Sequence, residues 1–235
     1  MPHSALTRWL KQGLARVCPL CRAAHKLDRE YMWNFFDERT SDEDALDQVG
    51  AARGFCANHA EQLRRIEVDG LKSTIAISDV YAHTLRALAA DLAAVDEGHG
   101  LAATACPACA NRDRGVAQNA RYLLDELAEN AGFRERFRAS PGLCVAHFQL
   151  AWDTSRTSEE RALLRDTELD AVRALLGEVN EHLRKQRAEH RNEPSGTEAD
   201  SWQRALWLTG GWPAPAASAG VPESAGEDQP VRPSS

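Results

Sequence analysis

The feature that most constrains this chain is a cysteine motif that occurs twice with the same spacing. The first copy reads CPLC from Cys18 and GFCANH up to His59, and the second reads CPAC from Cys106 and GLCVAH up to His147. In both copies the second cysteine, the third cysteine and the histidine follow the first cysteine by 3, 38 and 41 residues. The copies lie 88 residues apart and use all six cysteines. Such a match indicates an internal duplication.

The CxxC and CxxH pairs have the ligand spacing of closed metal sites. Three thiolates and one imidazole complete a tetrahedral shell and leave no position for water, which is typical of a structural site. Sulfur ligands favour zinc, iron or copper over magnesium or calcium. We expect two Zn²⁺ ions per chain, with an iron–sulfur cluster as the alternative. The predicted metal ligands are Cys18, Cys21, Cys56, His59, Cys106, Cys109, Cys144 and His147.

The spacing leaves open which motifs share an ion, since each CxxC could join the CxxH of its own copy or that of the other. Identical offsets within the copies favour pairing inside each copy, because each half then carries a complete site. A further alternative is a thiol redox protein, since Cys-Pro-x-Cys is also typical of redox pairs. That interpretation requires strands around the motif and leaves both CxxH motifs without a role.

Charge and hydropathy narrow the classes of function. The 235 residues have a formal net charge of −7, so we do not expect a nucleic-acid binder, which needs clustered Lys and Arg, or attraction to an anionic membrane. No apolar run is long enough to cross a bilayer, and residues 1–20 lack the continuous apolar core of a secretion signal. We therefore expect a cytoplasmic protein, whose thiols stay reduced.

The residue pattern predicts an all-α fold. Glycine and proline are scarce before residue 192, and runs of β-branched residues are absent. Pro19 and Pro107 suit the first position of a helix, with the preceding cysteine as N-cap, which predicts helices over 19–39 and 107–130. Apolar residues at steps of three and four over 71–95 and 169–183 predict two amphipathic helices whose apolar seam faces the core.

These elements predict a helical bundle of two tandem repeats, each with a Cys3His site at helix termini. The first metal-binding repeat covers residues 1–103 and the second covers 104–191. Residues 192–210 are predicted to be a linker and a short helix, which we expect to dock on the bundle. Residues 211–235 are rich in Pro, Ala, Gly and Ser and are predicted to be disordered.

The duplicated CPxC and GxCxxH motifs, with the later segment DSWQRAL that begins at Asp200, resemble an uncharacterised bacterial family of helical proteins. The resemblance runs from about Cys18 to Gly210, and all eight ligand positions match. Some members are labelled as transporter substrate-binding proteins, but we expect neither a secretion signal nor α/β halves from this sequence. The resemblance implies the boundaries and the ligands and implies no function.

The leading functional hypothesis is a metal-stabilised helical scaffold that binds another protein, because a metal can fasten helix ends that would otherwise need a larger core. The alternative from another class is an iron–sulfur or metal-handling accessory protein for a redox enzyme. The sequence has no activated-nucleophile motif, no phosphate-binding glycine loop and no open metal position, which favours a protein that is not an enzyme and leaves the question open, because active-site residues need not be adjacent in sequence. The sequence leaves the partner and the oligomeric state open.

Overall fold

The structure, a computed structural model, describes residues 17–95, 100–102 and 104–213. These residues contain nine α-helices and no strand, which confirms the all-α prediction for this part of the chain. None of the described helices is both long enough and apolar enough to span a membrane. The helices are α1 (Pro19–Asn34), α2 (Glu43–Ala51), α3 (Ala57–Arg64), α4 (Ile75–Ala93), α5 (Pro107–Glu129), α6 (Ala131–Arg138), α7 (Val145–Thr154), α8 (Ser158–Lys185) and α9 (Ser201–Gly210).

Helices α1 and α5 begin at the prolines that follow the first cysteine of each motif, as predicted. Proline suits this position because its missing N–H would have no partner in the first turn. The α-helical part of α1 ends at Asn34, earlier than the prediction, and continues as a π-helical turn over Phe35–Arg39. The wider turn places Phe35 in the core, where its ring meets that of Phe55 edge to face at 5.0 Å.

Side-chain caps define the starts of three other helices. Asp42 accepts a hydrogen bond from the Asp44 backbone N–H at the start of α2, and Asn130 accepts one from Phe133 at the start of α6. Thr157 caps α8 by accepting from the Glu160 N–H. These side chains satisfy backbone donors that the first helical turn leaves free.

Residues 17–27 and 111–213 form one compact unit. Its core contains large side chains that are almost fully buried, and helix α8 packs against α6 and α9. Arg121 of α5 and Glu160 of α8 form a partly buried ion pair at 2.6 Å. The largest buried side chains of this unit are Leu20, Leu123, Leu124, Leu127, Phe133, Phe137, Leu143 and Leu164.

Residues 28–95, 100–102 and 104–110 form a second compact unit. Helix α2 packs closely on α4, and a Cβ added at Gly50 would lie 3.3 Å from Ala87 and His83. The lack of a side chain at Gly50 therefore allows the two helices to approach. The core of this unit is built from Met32, Phe35, Ala45, Val49, Phe55, Leu63, Val80 and Ala108.

The compact units do not coincide with the two copies of the motif. Helix α1 contributes residues 19–27 to the first unit and 28–34 to the second. Helix α5 contributes 107–110 to the second unit and 111–129 to the first. Each unit therefore contains the CPxC of one copy and the CxxH of the other. The predicted boundary between the two sequence repeats, between residues 103 and 104, stays a prediction.

The apolar seams of the two long helices are exposed, and the prediction that they face the core is wrong. On α4, Ile75 and Leu85 are exposed while Val80 is buried on the other side of the helix. On α8, Leu183 is exposed and Ala171 is buried. Both helices have apolar residues on more than one face, and periodicity alone does not tell which face the neighbouring helices cover.

The C-terminal helix α9 docks on α7 and α8, as predicted. Its aromatic and aliphatic residues Trp202 and Leu206 nevertheless remain exposed. The chain continues to Trp212, which packs against the core of the first unit with its ring 4.9 Å from that of His25. Disorder is predicted over residues 211–235, and the part of this range from position 214 onward lies outside the described residues.

Candidate metal centres

The eight predicted ligands gather in two groups of four. Cluster A consists of Cys18, Cys21, Cys144 and His147, and cluster B consists of Cys56, His59, Cys106 and Cys109. In each cluster the four ligand atoms all lie within 4.8 Å of one another. Either cluster could hold a metal ion.

The clusters pair motifs across the two copies. Cluster A joins the first CPxC to the second CxxH, and cluster B joins the first CxxH to the second CPxC. Pairing within each copy, which the identical offsets favoured, is therefore not what the structure contains. The physical reason lies in the fold, since each compact unit brings one motif of each copy together.

In cluster A the imidazole faces three sulfur atoms. His147 Nδ1 lies 3.2 Å from Cys144 Sγ, 3.3 Å from Cys21 Sγ and 3.5 Å from Cys18 Sγ. The Sγ atoms of Cys21 and Cys144 are 3.6 Å apart. All three cysteines of this cluster are buried.

Cluster B has nearly the same geometry. His59 Nδ1 lies 3.2 Å from Cys56 Sγ, 3.4 Å from Cys109 Sγ and 3.6 Å from Cys106 Sγ. The Sγ atoms of Cys56 and Cys109 are 3.7 Å apart. The three cysteines are only partly buried, while His59 is fully buried.

These separations match the ligands of one tetrahedral ion. Zinc–sulfur bonds of about 2.3 Å and zinc–nitrogen bonds of about 2.05 Å place sulfur atoms about 3.8 Å apart and sulfur and nitrogen about 3.5 Å apart. A disulfide would need sulfur atoms at about 2.05 Å, and all six cysteines are free. The residues therefore fit a mononuclear Cys3His site.

Helix N-termini converge on both clusters. Cys56 and Cys144 are the N-caps of α3 and α7, with φ and ψ of −62° and 162° and of −68° and 158°. Gly54 at φ +99° and Gly142 at φ +75° supply the turn that precedes them, in a conformation that glycine adopts without strain. The positive ends of the helix dipoles face the sulfur atoms and stabilise thiolates.

The other nitrogen of the cluster B imidazole meets a carboxylate that the sequence analysis did not single out. Asp28 Oδ1 lies 2.9 Å from His59 Nε2, and both side chains are buried. A carboxylate behind a histidine ligand orients the ring and increases its basicity. Asp28 lies on α1 with Cys21 of cluster A, so its spacing in the sequence does not mark it as a partner of His59 in cluster B.

The C-terminal segment covers cluster A in a way that the sequence did not reveal. The backbone N–H of Trp212 donates a hydrogen bond to Cys21 Sγ at 3.4 Å. Gly211 adopts φ +82°, and a Cβ there would lie 3.9 Å from Cys21 Sγ and 4.0 Å from Cys144 Sγ. The segment at Gly211 and Trp212 therefore lies directly against the sulfur atoms of cluster A.

The electrostatics of cluster B show why a cation suits it. Burial opposes the charged form of His59, but Asp28 and Cys56 raise its pKa to about 9. Burial, together with Cys56 and Cys106, raises the pKa of Cys109 to about 12. Three neighbouring thiols cannot all lose their protons while no positive charge lies between them. A divalent cation would replace those protons and permit all three thiolates.

A buried carboxylate supports the turn before Cys144. Both oxygens of Glu168 accept from the Leu143 N–H, at 3.0 and 2.9 Å, and burial raises the pKa of Glu168 to about 7. His25 packs against Trp212 with the two rings tilted by 40° and belongs to neither cluster.

The described part of the chain is helical and carries two Cys3His clusters of four ligands, which places it among candidate closed-site metalloproteins. A family profile matches residues 13–214, and the chain belongs to this family, described as a family of unknown function (DUF6062). The match confirms the resemblance that the motifs suggested. No curated protein and no solved structure gives a significant match.

Proposed function

We propose that the chain binds two Zn²⁺ ions, one in each cluster, and acts as a metal-stabilised helical scaffold that engages another protein. The observation that supports zinc most strongly is the set of sulfur–sulfur and sulfur–nitrogen separations in both clusters, which suit a single tetrahedral ion. Each ion would have four protein ligands and no open position, so its role is structural.

The metal ions would join segments that are distant in sequence. Cluster A connects the start of α1 to the start of α7, and cluster B connects the start of α3 to the start of α5. Metal binding energy then becomes folding energy, because the unfolded chain does not hold these ligands together. A scaffold held together by two metal ions in this way needs a smaller apolar core.

The same proposal includes an internal duplication. Helices α5, α6 and α7 each begin 88 residues after α1, α2 and α3, the same offset that separates the motifs. Pairing across the copies supports a duplicated unit in which the CPxC segments have exchanged places. A reducing compartment such as the cytoplasm suits six free thiols that bind metal.

The second candidate is an iron–sulfur or metal-handling accessory protein, since the same ligands can bind iron. In a cluster of several irons the cysteines bind different ions and lie farther apart than the ligands of one ion. The short sulfur–sulfur separations of 3.6 and 3.7 Å therefore favour a single ion in each site.

The test is elemental analysis with a visible spectrum, on protein purified without oxygen and without a metal-binding tag. We expect two zinc ions per chain and a colourless solution. Iron with acid-labile sulfide and a brown solution would contradict the zinc proposal and favour the iron–sulfur accessory protein. Protein that carries no metal and binds no added Zn²⁺ would return the CPxC pairs to thiol redox chemistry.

A further inference from the structure

Helix α4 has a second apolar face that its own unit leaves uncovered. Ile75, Leu85 and Leu92 are 75%, 60% and 54% exposed, although Val80 and Thr84 of the same helix are buried. Large apolar side chains exposed together along one stripe of a helix are typical of an interaction surface. The outer face of α4 consists of Ile75, Ser78, Ala82, Leu85, Ala89 and Leu92.

The spacing of the outer face is that of a coiled coil. Its six residues alternate steps of three and four over the whole length of α4, so they repeat every seven residues. A seven-residue repeat keeps one stripe in contact with a partner helix that lies nearly parallel or antiparallel to it. This face is therefore suited to a long helix with a matching stripe.

We propose that this partner is α4 of a second copy, and that the two helices form an antiparallel coiled coil about a two-fold axis. When the two helices overlap along their full length, Ile75 lies opposite Leu92 of the second copy and Ser78 lies opposite its Ala89. Ala82 then lies opposite Leu85 of the second copy. The central layers thus combine a small residue with a large one, which allows close packing without overlap.

In this arrangement the charged residues beside the outer face of one copy lie next to opposite charges on the second copy. Asp79 and Arg86 are exposed, lie seven residues apart and flank the same edge of the stripe. In an antiparallel pair this edge meets the same edge of the other copy, so Asp79 lies beside Arg86 of the second copy, twice. In a parallel pair it would face the opposite edge, where Thr74, Tyr81 and Leu88 carry no charge.

This self-complementarity favours a second copy over an unrelated protein. A two-fold interface requires one surface to fit itself, and both the layers and the charges of α4 do so. One helix of 19 residues per copy makes a small contact, below the size of about 1,200 Å² that marks stable complexes. We therefore expect a dimer that dissociates on dilution, and its formation does not depend on the metal proposal.

The experiment is sedimentation equilibrium on the full chain over a wide concentration range. We expect a monomer–dimer equilibrium, and Leu85→Glu should raise the dissociation constant at least about tenfold by placing a charge in the interface. Leu176→Glu, on the exposed face of α8, is the matched control and should leave the equilibrium unchanged. Circular dichroism and metal content should match the parent in both variants.

Charge reversal tests the antiparallel register. Asp79→Arg alone and Arg86→Asp alone place like charges together and should each weaken the dimer, while the double reversal should restore it. A parent chain that stays monomeric at hundreds of micromolar would overturn the proposal. So would a dimer that is weakened by Leu176→Glu and not by Leu85→Glu, or a double reversal that stays as weak as the single variants.

Discussion

The Sγ atoms of Cys21 and Cys144 lie 3.6 Å apart, although 123 residues separate them along the chain. The contact joins the first CPxC motif to the second CxxH motif, and Cys56 with Cys109 makes the reciprocal contact at 3.7 Å. The two contacts span 123 and 53 residues of the chain. Each cluster would offer four ligands to an ion only after its own two segments have come together.

Pairing across the copies and pairing within each copy predict opposite metal contents for two double variants. Cys21→Ser with Cys144→Ser removes two ligands from cluster A and leaves cluster B intact, so we expect the chain to keep one ion. Cys21→Ser with Cys56→Ser removes one ligand from each cluster, so neither shell stays complete. Metal per chain, measured after dialysis against a moderate chelator, separates the two models. The opposite pattern would restore pairing within each copy.

Asp28 should control the affinity of cluster B alone. Asp28→Asn removes the carboxylate 2.9 Å from His59 Nε2, and loss of such a partner weakens metal binding by about 10- to 100-fold. Zinc competition with a chromogenic chelator should show one weakened site and one unchanged site. The control is Asp47→Asn, which removes an exposed carboxylate beside His83 and should change the zinc affinity of neither site. Equal weakening of both sites would contradict a local role for Asp28.

Gly142 and Gly177 should respond to alanine in opposite directions. Gly142 has φ +75°, and an added Cβ would overlap the Glu168 carboxylate, so Gly142→Ala should lower the free energy of unfolding by about 1–3 kcal/mol. Gly177 lies inside α8 with open space around it, so Gly177→Ala should raise that free energy by about 0.5–1 kcal/mol. Denaturant melts of the metal-loaded protein measure both changes. Equal effects would mean that the turn before Cys144 is not constrained.

The ion pair between Arg121 and Glu160 should make stability depend on pH. The Arg121 guanidinium lowers the pKa of Glu160 to about 2, from an ordinary 4.5. A lowered folded-state pKa stabilises the protein above about pH 4.5, and this contribution disappears as the pH falls through 2. Glu160→Gln should therefore cost about 1 kcal/mol at pH 7, a value reduced by solvent screening, and much less near pH 2.

The control for this pair is Asp166→Asn, which removes an exposed partner of Arg165 and should leave the free energy of unfolding unchanged at both pH values. The measurement is the difference in free energy of unfolding between each variant and the parent at each pH. A Glu160→Gln penalty that stays constant down to pH 2 would show that the charge of Glu160 is not its cause.

Local chemistry made much of the fold predictable. Pro19 and Pro107 after a cysteine predict helix starts, because proline lacks only a donor that the first turn does not use. Gly54 and Gly142 predict turns before the CxxH helices, and both have positive φ. The roles of Asp28 and Trp212 were not predictable in this way, because each depends on a contact with a segment far along the chain.

The sequence by itself determined the helical class, the starts of α1 and α5 and the eight residues that could bind metal, since these follow from residue type and short-range spacing. Only the tertiary structure decided which CPxC joins which CxxH, and which face of α4 and α8 is covered. The offsets within the two copies are identical, so the spacing of Cys18 and Cys106 alone does not decide the pairing. Helix packing decides it, because a compact core brings distant segments together wherever their apolar surfaces fit.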